Sequence, residues 1–168
     1  RTVMGEESSD SSYVFFNTEK ANLSISNGLD WIIKAQGNSG GWGAGSHSRQ
    51  DIMDPHAVQP DPATTSMVAM ALLRSGNTLN SGPYASHLRK ALNYLLTSVE
   101  SSSAQSHNIT SQTGTQIQIK LGANIDVILT SQFFSNLLDG NLDHDSNLKE
   151  RVKKANNVCV AKIQKTQE

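Results

Sequence analysis

Apolar positions along this chain recur mostly at helical spacing, in stretches separated by polar runs that carry Gly and Pro. From about Thr18 to Gln36, the residues Ala21, Ile25, Leu29, Ile32 and Ile33 repeat every three or four places, and Gly37 stops the pattern. A long loop follows, from Gly37 to Pro60. Asp61-Pro62 then opens a second helix, with Asp as N-cap and Pro at the first helical position. Its body, Ala63 to Arg74, is apolar around much of its girth, which predicts burial among other helices, and Gly76 ends it. Pro83 starts a third helix to about Val99, with Leu88, Ala91, Leu92, Leu95 and Leu96 on one stripe. A Ser/Gln/Thr-rich stretch, Ser101 to Gly114, is expected to be a mobile connector. A fourth helix is predicted over Ile117 to Leu138, with Leu121, Ile125, Ile128, Leu129, Phe133, Leu137 and Leu138 apolar, and a fifth from Asn147 onward. Strand alternation is nowhere sustained. The expected class is all-α, with about five main helices.

The helices resemble one another. Gly28-x-x-Trp31-Ile32-x-x-x-Gln36 has a partner in Ala91-x-x-Tyr94-Leu95-x-x-x-Val99, and a blurred third copy in Cys159-x-x-Lys162-Ile163-x-x-x-Gln167. The copies lie 63 and 68 residues apart, one helical hairpin per period, as in an array whose hairpins bury their faces against neighbours. After Gln36 a short turn, Gly40-Gly41-Trp42, sends an indole back toward the amide. A ring over an amide packs apolar surface while leaving polar edges free to hydrogen-bond. The expected staple therefore consists of Gly28, Trp31, Ile32, Gln36, Gly40 and Trp42, with Trp42 clasping Gln36.

These residues resemble the repeats of the terpenoid-cyclase and protein-prenyltransferase superfamily, the squalene-cyclase or prenyltransferase-like repeats. That motif runs basic, small, spacers, aromatic, aliphatic, spacers, Gln, gap, Gly-x-Trp. Gly28, Trp31, Ile32, Gln36, Gly40 and Trp42 match it, and Asn27 departs at the basic position. The second copy keeps Lys90, Ala91, Tyr94 and Leu95 but has Val99 for Gln and lacks Gly-x-Trp. Asp61-Pro62-Ala63-Thr64-Thr65, and Lys120-Leu121-Gly122 before Ile125-Asp126, look like the inner helices of that family. The resemblance implies a partial (α/α) toroid over residues 18–168, following a polar N-terminal tail, 1–17. A closed toroid needs more helices than these, so the resemblance also implies a piece of a larger ring or an arc that a partner completes. Class II cyclases of the superfamily protonate substrate from Asp-x-Asp-Asp, which this sequence lacks; Asp143-His144-Asp145 is the nearest acidic cluster. Zinc ligands of the prenyltransferases are not carried over, because Cys159 falls on an outer-type helix.

Composition narrows the field further. Lys plus Arg number 14 against 15 Asp plus Glu, a net charge of −1, which gives no electrostatic footprint for nucleic acid. Charged residues make up 17% and apolar ones 36%, which suits a folded core joined by polar loops rather than a charge-rich disordered chain. A single cysteine, Cys159, leaves no internal disulfide, and no apolar run is long enough for a membrane span. Aromatics are 5%, few rings with which to steady a carbocation. The sequons Asn22-Leu23-Ser24 and Asn108-Ile109-Thr110 matter only in a eukaryotic secretory route.

Two loops hold candidate chemistry. His47 to His56 gathers titratable groups and reads as a solvated connector capped by Asp61, with a polar binding site as the alternative; some polysaccharide lyases share a similar toroid, but Arg49 with Asp51 or Asp54 is too thin a basis to name their catalytic set. The turn from Asp139 to Glu150 places oxygen-bearing residues at the first, third, fifth, seventh, ninth and twelfth positions, as a calcium loop does. Its sixth position is His144 rather than Gly, and the alternative is a polar turn in which Asp145 or Ser146 caps the last helix. The expectation is a non-catalytic scaffold or binding module with no cofactor, taking a protein partner, the remainder of a toroid, or a lipid or glycan ligand. The alternatives are a fragment of a larger enzyme whose catalytic residues lie elsewhere, and a carbohydrate-active toroid.

Overall fold

The computed structural model describes residues 18–140, 142 and 145–167 of the chain. Its described residues form six α-helices: α1 (Glu19–Lys34), α2 (Pro62–Arg74), α3 (Ala85–Glu100), α4 (Gln116–Leu121), α5 (Ile125–Leu138) and α6 (Ser146–Lys165). The only further elements among these residues are a 3-10 turn, Pro55–Ala57, and one isolated bridge between Ser46 and Thr115. The class is all-α. The tail and its apolar patch, Tyr13-Val14-Phe15-Phe16, lie outside the described residues.

Side-chain caps start several helices. Thr18 accepts from the Ala21 amide at α1, Asp61 from Thr64 at α2, and Asp145 from Leu148 at α6. Of the two caps expected for the last helix, Asp145 or Ser146, it is Asp145 that fills the position. Asn141, Asp143 and His144 lie outside the described residues, so the calcium arrangement does too.

The predicted helix over 117–138 is two helices. Gly122, at φ +113°, takes a backbone conformation disfavoured for side-chain-bearing residues, and α5 starts afresh at Ile125. Thr115 opens α4 with a capping box: its hydroxyl accepts from the Gln118 amide, while the Gln118 side chain accepts from Thr115 N–H. The break raises the count from about five helices to six. It also leaves Leu121 and Ile128, predicted on the apolar stripe, exposed.

The core is shared by α2, α3, α5 and α6. Phe133, Phe134, Leu72, Leu88, Leu92, Leu95, Leu96 and Leu137 are fully buried, along with Val127 and Val152. Ala63 N–H donates to Asp126 on α5, and one turn on, Ser66 pairs with Thr130. Because both pairings advance together, α2 and α5 run side by side in the same direction. Asn156 of α6 meets both Ser131 and Ser135 of α5. The end of α3 joins the beginning of α6 through Glu100 and Arg151. The connector then runs beside α6, where buried Lys162 donates to the Ser103 and Ser106 carbonyls and Lys165 to that of Ala104. With Ile109 buried as well, this stretch is held at several points rather than loose as its composition suggests.

Helix α1 departs from its predicted role. None of its residues is buried; Ile25 is 56% exposed and Trp31 62%. Leu29, Ile32 and Ile33 lean on the core from outside.

Candidate functional site

The staple residues divide into two groups. Gln36, at the end of α1, uses its whole amide: Nε2 donates to the Gly40 carbonyl at 2.7 Å and to the His87 carbonyl at 3.0 Å. With both amide hydrogens committed, Oε1 is the acceptor facing His87 Nδ1 at 2.6 Å, so His87 carries its proton on Nδ1. Trp42, 4% exposed, returns its indole N–H to the Ile32 carbonyl at 2.7 Å, and its backbone N–H donates to Thr65 of α2. Gly40, at φ +91°, passes so close to α3 that a Cβ there would stand 2.5 Å from the Lys90 carbonyl oxygen. The turn thus joins α1, α2 and α3.

Gly28 and Trp31 stand apart from this join. Gly28 is exposed, and a Cβ built on it meets nothing within 4 Å. Their counterparts on α3 and α6 are differently placed: Ala91 and Cys159 are buried, Tyr94 donates its hydroxyl to Pro60, and Lys162 ties the connector. Sequence reasoning missed His87 and Thr65 because both are contributed by other hairpins.

A second polar knot lies where α2 and α5 begin. The buried Asp61 carboxylate accepts from the Ala44 and Thr64 amides and from the Thr64 hydroxyl. Burial pushes its pKa above the usual carboxylate value, and the nearby Asp126 charge adds to the rise, while hydrogen bonds from Thr64 and Ala44 oppose it. Asp126, also buried, takes Ala63 N–H on one oxygen, and Gln118 Nε2 at 2.7 Å and Asn108 Nδ2 at 3.5 Å on the other. Tyr94 and Gln112 both donate to the Pro60 carbonyl. Two acids, a phenol and three amides resemble a reacting cluster in composition. Their geometry is that of a clasp, because these polar groups hold backbone ends or one another. Every buried side-chain nitrogen and oxygen among the described residues has a partner. Asn108 of the second sequon is committed here, to Ala123 and Asp126.

The loop candidates are engaged as well. Arg49 and Asp51 form an exposed ion pair at 2.9 Å, and Asp54 caps the 3-10 turn. A recess of about 400 Å³ between this loop and Gln112–Thr115 is lined by Arg49, Gln59 and Thr115. Cys159 is buried, and its surroundings push the thiol up to about 12. Among the described residues no three His, Cys, Asp or Glu side chains are placed to hold a metal ion, and no helix is long and apolar enough to cross a membrane.

An apolar groove of about 470 Å³ runs between α1, α2 and α5. Ile25 and Leu29 form one wall, Met67, Met70 and Ala71 another, and Leu129 a third, with Arg74, Ser75 and Gln132 at the polar margin. Met67 is 45% exposed. This combination of an apolar slot with few polar groups is the usual character of a binding site. Nothing in the apolar periodicity pointed to it, since the same residues read as core stripes. Compared with protein-family models, with curated proteins and with solved structures, the chain has no match to any of them.

Proposed function

We propose that this chain is a helical-repeat module that serves as a scaffold or binding domain, and that the groove between α1, α2 and α5 is its binding face. The observation that carries this reading is the contrast between the two kinds of site. The buried acids, amides and lysine are spent on holding helix ends and loops, whereas Ile25 and Met67 expose apolar surface in a groove walled by half-buried Leu29 and Leu129 and floored by buried Met70. The prenyltransferase-like repeat supports the same reading. Its three small-residue positions, Gly28, Ala91 and Cys159, fall on α1, α3 and α6, and the helices between them, α2 and α5, run parallel as inner helices of an arc would.

The ligand class proposed is an apolar chain or an apolar helix face. Titration with dansyl-undecanoate tests it. Saturable binding is expected, weakened about tenfold or more by Met67→Asp, which puts a charge into the slot. No saturable binding, or equal binding by the variant, overturns the reading.

A second reading, in which the module is part of a larger toroid with catalytic residues elsewhere, is favoured by the uncovered side of α1 with Leu23 and Trp31. Joined to such a remainder, Trp31 becomes buried and its emission shifts to the blue. Unchanged emission in the complete protein removes this alternative.

A further inference from the structure

We propose that the ligand of this groove is a single acyl chain ending in a carboxylate, with the chain along Met67, Ala71 and Leu129 and the charged end held by Arg74 and Gln132. This inference rests on the binding-face reading above and adds the class of ligand.

The first argument is the order of the lining residues. On α2, Met67, Met70, Ala71 and Arg74 recur at three- and four-residue spacing, and on α5 Leu129 is followed by Gln132 one turn later. The two helices run in the same direction, so both rows pass from apolar to polar the same way. The paired positions, 63 with 126 and 66 with 130, differ by 63 and 64, which puts Gln132 level with residues 68 to 69 of α2. Arg74 is then about 8 Å further along, at 1.5 Å per residue. Helical side chains lean toward the helix N-terminus, which shortens that gap.

The second argument is an unspent amide. Gln36, Gln112 and Gln118 give their side-chain nitrogens to carbonyls or to Asp126. Gln132 is half-buried in the groove, yet its side chain makes no hydrogen bond to any described residue. A wholly apolar ligand covering it would leave donor and acceptor without water or partner, which is costly. A carboxylate accepts from the amide and removes part of that cost.

The third argument is charge. Among the described residues lining the groove, Arg74 is charged and none is acidic. The C-terminus of α2 adds about half a negative charge, less than the full positive charge of the guanidinium. The polar end therefore favours an anion over a cation or a neutral head, and a guanidinium matches a carboxylate in shape as well as sign.

Dansyl-undecanoate and its methyl ester, which keeps the chain and loses the charge, test the carboxylate. The wild-type chain is expected to bind the acid about tenfold or more tighter than the ester at neutral pH. Arg74→Gln should bring the acid to the level of the ester and leave the ester's affinity unchanged, which also reports an intact fold. Gln132→Leu, which keeps the bulk, should weaken the acid and not the ester. Selective loss of the acid in either variant upholds the proposal. Equal loss of acid and ester in both variants overturns it. An ester that saturates as tightly as the acid on the wild-type chain removes the carboxylate and leaves the binding face. Saturation by neither probe removes both.

Discussion

Two glycines of one sequence motif have opposite requirements. Gly40 sits at positive φ with the Lys90 carbonyl where a Cβ would go, so Gly40→Ala meets both backbone strain and a clash with backbone atoms. Its expected cost is roughly 2–4 kcal/mol. Gly28 lies within α1 with open space around it, and Gly28→Ala is expected to stabilise by about 0.5–1 kcal/mol, by reducing the freedom of the unfolded chain. Urea denaturation of the two variants checks both signs. His87 gives a pH prediction at the same scale. Burial, with the Lys90 charge second, holds its pKa below the ordinary value of 6.5. The folded state thus keeps this ring neutral to lower pH than the unfolded state does. Its contribution is complete above about 6.5 and is lost as pH falls through the depressed folded value. His87→Gln should flatten the fall in melting temperature between neutral and mildly acidic pH; an unchanged profile refutes the assignment.

At the scale of elements, side chains decide where helices begin and what they touch. Asp126 receives donors from α2, α4 and the connector, so Asp126→Ala strands the buried Ala63 and Gln118 donors, while half-buried Asn108 keeps its bond to Ala123. The expected loss is about 2–4 kcal/mol, measured by urea unfolding. Lys162→Met should act more locally. It frees the Ser103 and Ser106 carbonyls while keeping the apolar stem, so faster amide exchange and proteolysis around 103–106 are expected before global unfolding. Much of this level was legible in the sequence. Asp61-Pro62 marked the start of α2, and the choice of Asp145 or Ser146 marked that of α6 to within a residue, because a cap needs only its own helix. The α4–α5 break was harder to read: continuous apolar spacing masked Gly122, although Thr115-x-x-Gln118 carries a capping-box signature. The exposure of α1 was not legible at all. A stripe at Ile25, Leu29, Ile32 and Ile33 gives the face of a helix but not whether a neighbour stands opposite it.

For the whole molecule, the four-helix core is closed and the α1 side is open. Interior leucines and phenylalanines bind α2, α3, α5 and α6 together, while the Trp42 turn fastens α1 along one end. Of the candidate site, the sequence pointed to Gln36 and Trp42 as partners of each other, but not to the groups they bond, Gly40 and His87 for Gln36 and Ile32 and Thr65 for Trp42, nor to the slot nearby. Slots are made by residues from three separate stretches, and periodicity within one stretch carries no information about the others.

The sealed position of Cys159 gives the molecule its own stopwatch. A thiol shut away on α6 and held in its protonated form reacts with an alkylating reagent only while the helices are apart. In the native chain, its rate of alkylation should therefore follow the frequency of wholesale opening, with no label added. Modification at the speed of a free thiol peptide would mean that the core is breached far more often than its packing suggests.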